Sequence, residues 1–97
     1  AFVLYMLFLT YERKKKTVAK TIFDKEGITL LANRLKQIRK EKGFTQEELA
    51  YQSELTLSQI ARIETMKTNP TVSTIFCIAR TLEIPVSELF NFQLPKK

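Results

Sequence analysis

Thr29, Thr45, Thr56 and Thr71 each stand directly before a helically periodic apolar run, and this punctuation restricts residues 29–90 to short helices with tight connections. Thr29 is placed to cap a helix from about Leu30 to Lys42, with Leu31, Leu35 and Ile38 on one face and Arg34, Lys36, Lys40 and Glu41 outside. Gly43 follows where a left-handed residue is wanted. Thr45 and Glu48 form the T-x-x-E pattern of a capping box, opening a second helix that turns Leu49 and Ala50 inward and stops near Ser53. Thr56 heads a third helix, Leu57 to Thr65, with Ile60 and Ile63 inward. After the Asn69-Pro70 break, Thr71 caps a fourth, to about Leu82, with Val72, Ile75, Ile78, Ala79 and Leu82 inward. Pro85 precedes a short fifth, Val86 to Phe90, whose Leu89 and Phe90 close the core. The expected architecture is an all-α bundle of five helices.

The first 28 residues follow another pattern. Phe2–Leu9 is an unbroken apolar run, FVLYMLFL, followed closely by the basic block Arg13–Lys16. Eight residues are too few to span a bilayer as a helix, which needs about 20, and no positive charge precedes the run as a secretory signal would require. Its length and its aromatic and β-branched content read as an extended segment, buried against a partner copy or the domain. The alternatives are the remnant of a longer membrane span, with the basic block on the cytoplasmic side, or a chain start that is not the native one. A second short strand is expected within Thr17–Ile28, and Asp24–Gly27 as a turn. The division is then 1–28, an apolar and basic extension expected to serve as a dimerisation or partner-binding arm; 29–93, the helical domain; and 94–97, a basic tail.

Charge directs attention to a polyanion without settling the matter. The net charge of +6 suits nucleic acid. Residues 1–28 hold six bases and three acids, whereas residues 29–95 hold eight bases and seven acids. Any electrostatic footprint of the domain must therefore come from local arrangement. Catalysis is not expected. With no histidine, one cysteine and only two glycines, the chain offers no histidine acid–base group, no zinc set and no phosphate-cradling glycine loop, so no cofactor is expected. The single Cys77 rules out an internal disulfide and fits a reducing cytosol.

The stretch TQEELAYQSELTLSQIARIE, Thr45–Glu64, resembles the helix-turn-helix of the phage repressor and Cro-like family of bacterial regulators, and NPTVSTIFCIARTLEIPVSELF resembles that family's fourth and fifth helices. The likeness covers roughly Leu31 to Phe92. Its physical basis is visible in the residues. Ala50 is small where two helices must cross, and Ile60 and Ile63 anchor the second helix on the first. The opposite face then holds Thr56, Leu57, Ser58, Arg62 and Thr65, short or polar groups suited to a DNA groove.

The resemblance implies a five-helix repressor-like DNA-binding bundle, to which the apolar run read above adds an N-terminal extended or β arm. Gln46 takes the position that bonds a phosphate and orients the first base contact. Thr56, Leu57, Ser58 and Arg62 take the groove-facing positions, with Arg62 suited to guanine and Leu57 to a thymine methyl. Gln59 is assigned to a phosphate or a neighbouring base. Thr65, Lys67, Thr68 and Asn69 match the segment that contacts the DNA backbone. Arg39 and Glu64 match a structural ion pair. The family usually carries glycine where this chain has Glu54, Met66 and Glu83, which implies left-handed backbone at three non-glycine residues.

The expected function is a cytoplasmic, sequence-specific transcriptional regulator, a repressor, that binds double-stranded DNA as a homodimer. The competing expectation is an antitoxin-like protein that binds a partner protein through Phe2–Leu9 and autoregulates its operon. A membrane is not among the expected partners.

Overall fold

The computed structural model describes residues 2–17 and 22–96. Six helices follow in order: α1 Phe2–Thr17, α2 Lys25–Glu41, α3 Gln46–Gln52, α4 Leu57–Glu64, α5 Val72–Leu82 and α6 Val86–Leu89. No strand occurs among the described residues. Helices α2 to α6 form the bundle. α3 packs on α4 and α5, while α2 packs on α4 and α6.

The core is where the apolar spacing placed it. Leu31, Leu35 and Ile38 of α2 meet Leu49 and Ala50 of α3, Ile60 and Ile63 of α4, Ile75, Ile78, Ala79 and Leu82 of α5, and Leu89 of α6. Leu35, Leu49, Ile60, Ile78, Leu82 and Leu89 are sealed from solvent. Each full burial of such a side chain contributes about 1.5–3 kcal/mol, which is what holds helices of four to eight residues that would not persist alone.

Three of the four threonine caps operate as read. The hydroxyls of Thr45, Thr56 and Thr71 accept from the amides of Glu48, Gln59 and Thr74. Thr29 does not cap. Its helix starts one turn earlier, at Lys25, because Asp24 adopts extended backbone and accepts from the Gly27 amide at 3.1 Å. Aspartate is the stronger cap. What the sequence suggested as a turn at Asp24–Gly27 is thus the first turn of α2, and Thr29 lies inside, donating to the Lys25 carbonyl at 2.8 Å.

The extended arm is corrected outright: Phe2–Leu9 is the first half of α1. A lone strand leaves its backbone groups without partners, whereas a helix satisfies them within the segment. Of the second expected strand, residues 18–21 lie outside the described residues, and Ile22–Asp24 is not strand. Two inward assignments also fail. Val72, at the first position of α5, is 65% exposed, and Phe90, the C-cap of α6, is 48% exposed. Both stand at helix ends beyond the packed layer, and Phe92 packs on the core instead.

Candidate nucleic-acid interface

The turn between α3 and α4 is built by backbone hydrogen bonds. The Leu55 amide donates to the Ala50 carbonyl at 2.9 Å and the Glu54 amide to Tyr51 at 3.3 Å, the paired bonds of a Schellman ending. Glu54 sits at φ 59° to make that geometry possible, and Leu55 turns back onto the core. The same pair of bonds ends α4, from Lys67 to Arg62 and from Met66 to Ile63, with Met66 at φ 63°. It ends α5 as well, from Ile84 to Ala79 and Glu83 to Arg80, with Glu83 at φ 56°. Only α2 ends on a glycine, Gly43 at φ 79°.

This turn fixes the rotation of α4. Ile60, Ile63 and Glu64 are buried, so Thr56, Leu57, Ser58, Gln59 and Arg62 are left on the exposed side. Ser58 and Arg62, four residues apart, lie on one face. Thr65 and Lys67 continue that exposed surface beyond the helix. A shallow depression beside α4 is lined by Gln59, Arg62, Thr68, Asn69, Thr71 and Thr74, which brings the loop after α4 next to the helix's polar side. The exposed surface of α4 and the loop after it is polar, with cations at Arg62 and Lys67, and Glu54 is the one acid in the α3–α4 turn.

Beneath the surface, Arg39 and Glu64 are both buried and joined twice: Nε to Oε2 at 2.6 Å and Nη2 to Oε1 at 2.9 Å. Arg39 Nη1 also donates to the Phe44 carbonyl at 2.8 Å, which ties the pair to the loop before α3. Gln46 completes the set by donating from Nε2 to Glu64 Oε1 at 3.0 Å. Gln46 is half-buried at the N-terminus of α3, so the same side chain borders the surface and braces the ion pair.

Residues 35–89 match the model of the Helix-turn-helix family HTH_3. The chain belongs to that family. It is 41% identical over 59 residues to the immunity repressor protein of Bacillus phage phi105, a match covering 61% of this chain and 41% of the repressor. It is 36% identical over 59 residues to the antitoxin HipB of Escherichia coli, covering 61% of this chain and 67% of HipB. The restriction-modification controller protein C.AhdI from Aeromonas hydrophila superposes with a TM-score of 0.64 at 33% identity, over 65% of this chain and 96% of that one. The chain therefore spans less than half the length of the phage repressor it resembles.

Within the bundle, two roles escaped sequence reasoning. Gln59 closes a capping box: its Oε1 accepts the Thr56 amide at 2.8 Å while its own amide donates to the Thr56 hydroxyl at 3.0 Å. The T-x-x-Q spacing carried that signal. Thr45 and Glu48 make only the first half of their expected box, since the Thr45 hydroxyl also donates to the Glu48 carboxylate at 3.2 Å. The second missed element is Arg34, which lies in α2 rather than free in solvent. It donates from Nε to the Glu88 carbonyl at 2.7 Å and from Nη2 to the Glu88 carboxylate at 2.8 Å, fastening α6 to α2. No local pattern could have announced it, because the two residues are 54 positions apart.

Proposed function

We propose that this chain is a sequence-specific DNA-binding transcriptional regulator that lays α4 in the major groove and represses by occluding a promoter. The rotation of α4 carries the reading. With Ile60 and Ile63 locked in the core, Thr56, Leu57, Ser58 and Arg62 project together from the start and middle of the helix, the part that meets base edges in a docked helix-turn-helix. Gln46, Gln59, Thr65, Lys67, Thr68 and Asn69 surround them and would hold phosphates. Membership in the helix-turn-helix family and the similarity to a phage repressor support the same conclusion.

The proposed assembly is a homodimer on an inverted repeat, two copies of α4 entering successive major grooves roughly 34 Å apart. Exposed Val72 and Phe76, one turn apart on α5, with Phe90, the C-cap of α6, lining the same hollow as Val72, offer an apolar contact for a second copy. No cofactor is invoked, and the site of action is the cytoplasmic compartment that holds the DNA.

Selection of binding sites from random duplexes tests the whole reading. An enriched inverted repeat with half-sites about one helical turn apart is the expected result. Protein that ignores DNA even at low ionic strength would end the proposal. A second reading, that the chain also neutralises a partner protein, draws on the similarity to HipB. Stoichiometric co-purification of another protein is the result that would favour it.

A further inference from the structure

We propose that α1 immerses its apolar segment, Phe2–Leu9, in the hydrocarbon of an anionic lipid bilayer and so tethers the DNA-binding domain to a membrane surface. The inference stands on α1 alone and holds whether or not α4 reads a base. Successive residues of a helix step by about 100°, so four in a row go right round it. Phe2, Val3, Leu4 and Tyr5 do so, and each is at least 59% exposed; Met6, Leu7 and Phe8 repeat the circuit, also exposed. A helix meant for a protein groove or a second copy carries an apolar stripe and a polar back. This one has no polar back over its first two turns. An environment that is apolar in every direction is what such a surface fits, and lipid provides it.

The sequence along the axis agrees. Thr10, which ends the apolar run, donates its hydroxyl to the Met6 carbonyl at 3.0 Å and so satisfies it within the helix. Tyr11 follows, then Arg13, Lys14, Lys15 and Lys16. Apolar, aromatic and basic is the order met in passing from acyl chains through the interface to anionic headgroups. The apolar segment is about 12 Å long, against about 30 Å of hydrocarbon in a bilayer. Among the described residues no helix is long and apolar enough to cross a membrane. The described segment thus combines an apolar and an electrostatic signal for a membrane surface.

The test is co-sedimentation of the full chain with vesicles of phosphatidylcholine alone and of phosphatidylcholine mixed with phosphatidylglycerol. Binding to the mixed vesicles is expected, weakened by salt. Leu4→Glu with Leu7→Glu should lower partitioning by about tenfold or more. Replacing Arg13 to Lys16 by glutamine should lower it roughly fivefold for each charge removed. None of Phe2–Thr10 belongs to the buried core cluster, so Leu4→Glu with Leu7→Glu should keep the thermal transition of the bundle. Wild-type chain that stays in the supernatant with both vesicle types overturns the proposal. So does a vesicle-free dimer that Leu4→Glu with Leu7→Glu converts to monomer, which would assign α1 to a second copy.

Discussion

Arg39 on α2 holds both carboxylate oxygens of Glu64 on α4, at 2.6 and 2.9 Å, with Glu64 only 1% exposed. The contact joins the first helix of the bundle to the end of α4. It also places the one buried carboxylate of the domain directly beneath the proposed DNA surface. Two charges taken out of water are tolerable only while each has its partner. The pair therefore acts as an alignment device for α4 more than as a source of stability.

Arg39→Met should lower stability by about 3 kcal/mol, because Glu64 is left buried with Gln46 as its remaining partner. Arg39→Met combined with Glu64→Leu should recover most of that loss, since no unpaired charge is then buried. Chemical denaturation of the three proteins measures both. Equal stability of Arg39→Met and wild type would show that the pair does not hold the helices.

The three non-glycine left-handed residues give an opposite expectation. Glu54, Met66 and Glu83 sit at φ 59°, 63° and 56°, where a Cβ costs about 1 kcal/mol. Glu83→Gly, at the far end of α5, should raise stability by roughly 0.5–1 kcal/mol, the strain relief offset in part by the greater freedom of an unfolded glycine. Glu54→Gly should do the same and also strengthen DNA binding by removing an acid from the α3–α4 turn. A drop in the melting temperature of Glu83→Gly would contradict the strain.

Arg62 and Lys67 should separate sequence reading from phosphate holding. Arg62→Ala is expected to cost about 1–3 kcal/mol on the preferred site and to relax preference at one base-pair position. Lys67→Ala should weaken all duplexes alike and reduce the slope of log K against log salt by about one. Titrations over a range of salt on matched and mismatched duplexes distinguish them. An unchanged selected sequence with Arg62→Ala would remove Arg62 from base reading.

These outcomes bear on how the fold was legible. The α3–α4 unit could be read because its determinants are local: Thr45 and Thr56 cap within three residues, and Ile60 and Ile63 share a face by spacing alone. Family resemblance placed left-handed backbone at Glu54, Met66 and Glu83, and the paired backbone bonds show what requires it there. Arg34–Glu88 was not legible, since it depends on where α6 lands after the rest has folded. The state of Phe2–Leu9 was not legible either. An unbroken apolar run has no period from which to tell a helix from a strand, and the choice falls to backbone hydrogen bonding. Gln46 and Gln59 fall between the two cases. Their positions pointed to DNA, while their side chains also serve Glu64 and Thr56 within the fold.

That double duty makes Gln59 the residue at which structure and binding can be parted. Its Oε1 accepts the Thr56 amide at the start of α4, and a carboxylate oxygen can accept the same bond. Gln59→Glu should therefore keep the capping box and, by placing negative charge at a helix N-terminus, match or exceed wild-type stability by about 0.3–1 kcal/mol. The same charge would face phosphates on the exposed side of α4, so DNA affinity should fall on every sequence. Gln59→Ala should show the complementary pattern, losing only the side-chain bond to the Thr56 amide, about 0.5–1.5 kcal/mol of stability, while repelling no phosphate. Melting curves and duplex titrations of the two variants give the comparison. If Gln59→Glu binds DNA as tightly as wild type at low salt, Gln59 does not face the duplex and the proposed docking of α4 has the wrong rotation.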